Sequence, residues 1–434
     1  MSLISSIQTT LSTHCPSKKA KPAPVENIAI IGAGLSGLTL ALALHQHSIP
    51  CTIYEARPAP LNIGGAIMLS PNALRILDHL GVYGRIRDEG YAFDKLYFRS
   101  PADQPLDAYE FGGEDEYGYR GLRIYRHVLI RELSAMVAEA NIPVYYRRKF
   151  VRVVTESETD VTWEFEDGDT ASAACLVGAD GIHSRVRRYL YPDLEPKFTN
   201  AMGVTAAVPT AQLQLQVPGE YNLPVTIMNK QHGAFVIAPQ QRDGSEVLIG
   251  RQKRAPELDQ EGWSRLMGDK AWCVDFLRQG AADFPEVVQR AVSEIAPDSI
   301  NVWPFYVVPK LDTWSSARGR VVILGDAAHA IPPSAGQGIN QAFEDVYTYA
   351  LIVAKCDRDY VEKALKVWQR GRQERVDKVL ALNAQIDRRR MPKPAGQEDA
   401  EDDDKPFELG WLYKPDFDEM VEGWLREDAA VVSS

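Results

Sequence analysis

The sequence predicts an α/β fold in which a lobe wound on a parallel sheet is interrupted by a second lobe of antiparallel strands. Three observations carry this. First, an apolar run, Asn27–Ile31, enters the turn Gly32–Gly37, a helical stretch Leu38–His45 and another apolar run Cys51–Tyr54. That order is one βαβ unit, and its right-handed crossover puts both strands in one parallel sheet. Second, from Phe93 to Phe111 the pattern changes to short alternating stretches (KLYFRS, LDAYEF), which suit antiparallel strands. Third, the apolar strand Val321–Leu324 enters another glycine-rich turn far downstream. At 434 residues the chain also exceeds the ~250–300 residues at which one core stops growing.

The remaining elements follow in order. Ser70 can cap a helix that has Pro71 at its first position, Leu74, Ile76, Leu77 and Leu80 as its apolar face, and Gly81 at its end. Arg126–Ala140 reads as a helix, Phe150–Val154 and Val161–Phe165 as paired strands leading into Cys175–Val177. Ala201–Arg251 is strand-rich, and the chain after Leu324 is mainly helical to about Arg390. The first lobe is therefore expected over 27–92, 118–195 and 300–390, and the second over 93–117 and 196–299. Residues 1–26, rich in Ser and Thr with lysines and no arginine, read as a disordered tail. Residues 391–434 read as an acidic linker (Gln397–Asp404) and an aromatic tail, PFELGWLYKPDF, that packs back onto the body.

Composition narrows the function. A net charge of -11 argues against a nucleic-acid partner, because phosphate binding needs a basic surface. The five cysteines, Cys15, Cys51, Cys175, Cys273 and Cys356, form no CxxC pair, and the histidines lack ligand spacing. Neither a disulfide framework nor a metal site is expected, and a reducing compartment suits the chain. Ile28–Leu44 is apolar, yet its three glycines and its length, below the ~20 residues of a comfortable span, favour a buried strand and helix. A soluble cytoplasmic protein without stable membrane insertion is expected, as a monomer or homodimer.

Three stretches carry chemistry. In Gly32-Ala33-Gly34-Leu35-Ser36-Gly37 the first glycine permits a tight turn, the second lets a pyrophosphate approach the backbone, and the third permits close helix–strand packing, making the first lobe Rossmann-like. Glu55, closing the second strand, can accept both hydroxyls of an adenosine ribose and would repel a 2'-phosphate, so the site suits FAD or NAD. Arg57 can lie along the adenosine phosphate. The choice between the two falls to GDAAH at 325–329 and GQGINQ at 336–341. Asp326 can hold a ribityl hydroxyl, and the helix opened at Gly336–Gly338 aims free N–H groups at an electron-rich ring edge, which points to FAD. In GADGIHSRVR, Asp180 and Gly181 end a strand, and Ser184 and Arg187 lie three apart on the following helix, so a polar cluster near the first glycine loop is expected.

In this order and spacing, the three stretches resemble the group A flavoprotein monooxygenases. These share the para-hydroxybenzoate hydroxylase fold and include salicylate hydroxylases, tetracycline-inactivating monooxygenases and many fungal tailoring enzymes. The resemblance covers about Asn27–Arg390. It implies a FAD-binding lobe interrupted by an antiparallel-sheet substrate lobe, with FAD held by Gly32, Gly34, Gly37, Glu55, Arg126, Asp326 and the amides around Gly338 and Ile339. It implies that Asp180 serves both FAD and the pyridine nucleotide, and that Gly64 and Gly65 pass beside the isoalloxazine ring. Ser334-Ala335 before Gly336 departs slightly from the family pattern.

The implied reaction is a hydroxylation of an aromatic, polyketide or indole-type small molecule, in secondary metabolism. A flavin C4a-hydroperoxide delivers the oxygen, and NADPH or NADH docks transiently as reductant, since the chain has one strand-embedded GxGxxG. Phe235, Trp303, Phe305 and Tyr306 are candidates to roof the pocket, and Arg251 and Tyr306 candidates to orient or deprotonate a phenol. Epoxidation and ring expansion are the alternative outcomes. A halogenase lacks support, because Trp303-Pro304-Phe305 does not complete a Trp-x-Trp-x-Ile-Pro element. A non-catalytic escort would have lost flavin contacts, whereas Asp326 and the GQG turn are intact.

Overall fold

The computed structural model describes residues 27–60, 65–215, 221–332, 335–356, 360–390 and 407–432. Its first lobe is built on a five-stranded parallel sheet in the order Val321–Ile323, Cys175–Gly178, Ile28–Ile31, Cys51–Glu55, Val144–Tyr146. The last of these strands is too short, and too close to the end of the preceding helix, to stand out in the sequence. All four residues of Ile28–Ile31 and of Cys175–Gly178 are buried, as expected for strands covered on both faces. Helix Leu35–Gln46 is buried nearly all round against the helix Gly338–Lys355, which explains its unbroken apolar sequence. Thr170–Ala173 joins the hairpin of Phe150–Glu156 and Val161–Phe165 to make a separate three-stranded sheet.

The second lobe is a seven-stranded sheet in the order Asn301–Val307, Lys197–Pro209, Glu246–Arg254, Gly233–Pro239, Val225–Asn229, Lys95–Arg99, Pro105–Glu110. Its pairs are antiparallel except for Lys95–Arg99 on Val225–Asn229, the join between the two chain segments that form the lobe. One face carries Val204, Ile227, Phe235, Ile237, Val247 and Ile249 into a core closed by the helices Gln260–Gly268, Lys270–Arg278 and Glu286–Ala291. The other face is turned toward the first lobe. A three-stranded sheet of Ala66–Leu69, Gly121–Tyr125 and Tyr91–Phe93 lies between the lobes.

Ser70 precedes the helix Pro71–His79 as expected, but its hydroxyl does not cap it. It donates to Oδ1 of Asn72 at 2.6 Å and accepts from Gln337 at 2.9 Å, inside a buried polar network. The C-terminal segment packs on the body: Leu409, Leu412 and Tyr413 are buried beside Tyr109, Phe111 and Leu382, and Phe417 and Val421 join the first-lobe core. The N-terminal 26 residues, Gly64, Ser334 and the acidic run 397–404 lie outside the described residues.

Candidate active site

The glycine turn at 32–37 is shaped by two different constraints. Gly32 has φ of +110°, and a Cβ there would come within 2.6 Å of the Ala179 carbonyl, so the fold itself requires glycine. At Gly37 a Cβ would collide with the Gly32 carbonyl oxygen. Gly34 is different: its φ of -83° suits any residue and nothing lies within 4 Å of where a Cβ would stand. Space beside its backbone, not packing, is what glycine preserves there. Glu55 is buried next to this loop, with Oε2 accepting from the Ala33 amide and Oε1 from the Arg57 amide, each at 2.8 Å. Each carboxylate oxygen keeps a second lone pair for a further donor. The half-exposed Arg57 guanidinium stands 3.7 Å from Glu55.

Across the parallel sheet, Val321–Ile323 delivers Gly325, at φ +59°, and Asp326 to the same end. Crowding protein atoms raise the Asp326 pKa, against the pull of His329 and Arg126, and lower that of Arg126, against the pull of Asp326. Both side chains nevertheless remain accessible to solvent. Among the described residues no hydrogen bond reaches the Asp326 carboxylate. The 18-residue helix Gly338–Lys355 begins beside them, and again nothing lies within 4 Å of a Cβ placed on Gly338. The Gly338 and Ile339 amides belong to the first turn of this helix, where N–H groups lack intrahelical partners.

Asp180 sits against Gly32, whose Cβ would come within 3.3 Å of its Cα. Its carboxylate accepts from Ser184 Oγ at 2.5 Å and from the Arg185 and Val186 amides at 2.7 and 3.2 Å. Ser184 Oγ in turn accepts from the Arg187 amide at 2.9 Å, and the Arg187 guanidinium reaches the Ala327 carbonyl at 3.0 Å. The second and third sequence stretches are thereby tied together. Gly65 approaches the large sheet, since a Cβ there would lie 3.6 Å from Leu248 and 4.0 Å from Gln240 Oε1. Gln240 also receives the Ala66 amide at 3.3 Å and donates to the Tyr125 hydroxyl at 2.8 Å.

Behind the Gly338 helix lies a layer that the sequence reading did not identify. Glu344 and Asp345, both fully buried, hold Arg372 and Arg375; Asp345 also accepts from the Gly325 amide and pairs with His329. Asn340 ties Gly336 to Met68 and Ser70. The available signal was the polar GINQAFED at the head of a helix that is otherwise apolar.

Residues 26–383 match the family described as FAD binding domain. The chain belongs to this family. It is 31% identical to a 3-amino-4-hydroxybenzoate 2-monooxygenase of Streptomyces platensis, covering 81% of this chain and 83% of that one. It is 26% identical to a salicylate hydroxylase of Pseudomonas putida, covering 76% and 77%. Among solved structures it resembles CtdE bound to FAD and a substrate, with a TM-score of 0.76 at 20% identity, covering 94% of this chain and all of that one. The chain is a FAD-dependent monooxygenase with the para-hydroxybenzoate hydroxylase fold, and NAD(P)H is the reductant general to its family.

In this flavoprotein the residues singled out for chemistry on the substrate side fare unevenly. Arg251 lies three residues beyond Leu248 and so on the opposite face of the sheet. Its buried guanidinium donates to the carbonyls of Phe276, His232 and Gln279, which fastens the helical layer to the sheet. That placement corrects the expectation that it orients a phenol. Tyr306 is on the same helix-covered face, ring to ring with Phe198 and His183 at the edge of the lobe. Phe235 is fully buried against Phe284 and is core. Trp303 and Phe305 share the face turned to the first lobe, both touching the space a Gly203 Cβ would take. No group of three or more metal-ligating side chains occurs among the described residues, and none of their helices is long and apolar enough to cross a membrane.

Proposed function

We propose that the chain hydroxylates an aromatic small molecule, with FAD lying from the Gly32–Gly37 loop to the start of the Gly338 helix. The observation that carries this is the pairing of two glycines without a packing reason, Gly34 and Gly338, with an accessible carboxylate, Asp326, that no described side chain satisfies. Glycine at both positions keeps a path open for a ligand that runs close along the backbone. Glu55 accepts the adenosine ribose hydroxyls, and Gly32, Gly37 and Asp180 fix the loop. Arg57 and Arg126 supply positive charge along the phosphates, and Asp326 receives a ribityl hydroxyl. Gly65 passes beside the ring.

FAD, reduced by NADPH or NADH, supplies activated oxygen. The protein's share is electrostatic and steric. The Gly338 and Ile339 amides, at the open start of their helix, would stabilise negative charge on the bound flavin. On the sheet face turned to the first lobe, Thr205, Ala207, Leu248 and Phe305 carry no charge and shield the reaction from water, while the Glu246 carboxylate of that face is taken up by Tyr125. The relatives act by name on 3-amino-4-hydroxybenzoate and salicylate, which supports a phenolic aromatic as the substrate class here. The enzyme works in the cytoplasm as a monomer or homodimer, which cell fractionation and sedimentation test.

The test is turnover of a panel of phenols and hydroxybenzoates with NADPH or NADH under heavy-isotope dioxygen. The reading requires one heavy oxygen atom in the product. Product oxygen drawn from water, or NAD(P)H oxidation that no aromatic compound stimulates, sinks it.

A further inference from the structure

Six arginines are buried among the described residues: Arg123, Arg187, Arg251, Arg320, Arg372 and Arg375. Five of them make at least one guanidinium hydrogen bond, although the Nε atoms of Arg187, Arg251 and Arg320 have no partner. Arg187 and Arg251 donate to backbone carbonyls, Arg320 to the Glu158 carbonyl, and Arg372 and Arg375 to Glu344. Arg123 is the exception. It is 6% exposed, its Nε has no partner, and no hydrogen bond or ion pair from a described residue reaches its guanidinium. Leaving a buried charge unpaired costs several kcal/mol, and such groups are almost always paired in folded proteins.

The position of Arg123 shows what the unused charge faces. It sits in the middle of the small sheet between the lobes, with Met68 and Tyr91 as its register partners and therefore on the same face. Tyr125, two residues on and on that face too, bonds Gln240 and Glu246 of the large sheet. Met68 reaches within 3.2 Å of the space a Gly336 Cβ would take, beside the Gly338 helix. Arg123 thus shares the face of the small sheet that meets the substrate sheet through Tyr125 and the Gly336 turn through Met68. Neither neighbouring tyrosine can neutralise it, since burial raises the pKa of both Tyr91 and Tyr125 and keeps their hydroxyls protonated. Burial also pushes the Arg123 pKa down, to about 10, which leaves it cationic at neutral pH.

We propose that Arg123 is a specificity-determining residue that pairs with a carboxylate on the aromatic substrate. A guanidinium presents parallel N–H groups that match a carboxylate in bidentate geometry, and water exclusion strengthens the pair. On the sheet face opposite, Thr205, Ala207, Val236, Ala238 and Leu248 supply no competing cation, and the Glu246 carboxylate of that face is taken up by Tyr125 and makes no ion pair with Arg123. The inference rests on the aromatic hydroxylase reading and refines it: the enzyme selects aromatic acids over their neutral analogues.

The FAD-loaded enzyme is titrated with salicylate and, separately, with 2-hydroxybenzamide, following the change in flavin absorbance. The wild type is expected to bind the acid at least about 10-fold more tightly than the amide. R123Q is expected to weaken the acid by on the order of 10- to 100-fold and the amide by less than about 3-fold. R123K, which keeps the charge without the fork, falls between. The wild-type comparison stands even where a variant does not fold. Equal affinity for acid and amide, no binding of the acid, or an acid preference that survives in R123Q overturns the assignment. Flavin reduction by NAD(P)H in the same preparation reports separately on the hydroxylase reading.

Discussion

Replacing Glu344 by Gln should destabilise the flavin lobe by about 3 kcal/mol. The Glu344 carboxylate takes Nη1 of Arg372 at 2.5 Å, Nε and Nη2 of Arg375 at 2.6 and 2.7 Å, and Nδ2 of Asn72 at 2.7 Å, with no solvent exposure. Removing one partner of a buried ion pair costs about 3–5 kcal/mol, because the remaining charge stays desolvated. Gln retains one carbonyl acceptor, and Arg372 keeps Asp345 at 2.7 Å, so the low end of that range applies. For a cooperative unit of ~150–250 residues this lowers the apparent Tm by about 6 to 12 °C. The assay is thermal and urea unfolding of E344Q, R375Q and the double variant, each loaded with FAD. Because both variants break the same pair, the double variant should lose at least about 1 kcal/mol less than the sum. A loss below about 0.5 kcal/mol for E344Q, or full additivity, refutes the claim that this pair carries stability.

Three further outcomes follow from the same geometry. Gly34→Ala should leave apoprotein unfolding within about 0.5 kcal/mol of wild type yet weaken FAD on the order of 10-fold by flavin-fluorescence titration; unchanged affinity would contradict the open path beside that backbone. Asp326→Ala should weaken FAD on the order of 10-fold or more while the apoprotein keeps its circular dichroism, since no described side chain depends on that carboxylate. Acid should unfold the flavin lobe through Glu344 and Asp345. Burial alone would raise both pKa values, but Arg375 and Arg372 beside Glu344, and His329 and Arg372 beside Asp345, hold them below the usual range. Their stabilisation is therefore complete above the unfolded values near ~4 and is lost as pH falls through the lower folded values. A stability that does not decline below pH ~4 would contradict that assignment.

The parts of the molecule legible in the sequence were those set by local rules. The βαβ unit, the glycine turn and the Asp326 turn each combine an apolar strand with glycines whose spacing has a backbone reason, as at Gly32 and Gly325. The interlobe geometry was not legible, because it depends on which face of a strand a residue occupies in the assembled sheet. Arg251 looked available for chemistry in sequence, yet odd spacing from Leu248 turns it to the helical layer, where three carbonyls take its donors. Arg123 lies in a strand, Gly121–Tyr125, that the sequence reading did not assign, and only the register with Met68 and Tyr91 turns it inward. The buried layer of Glu344, Asp345, Arg372 and Arg375 joins residues far apart in the chain and carries no local motif.

The most direct measurement is the visible spectrum of the purified protein, followed anaerobically as NADPH or NADH is added and then as oxygen is readmitted. The account predicts flavin bands that are bleached by the reductant and restored by oxygen, with FAD as the flavin released on denaturation. A colourless protein that neither binds added FAD nor oxidises NAD(P)H would contradict it.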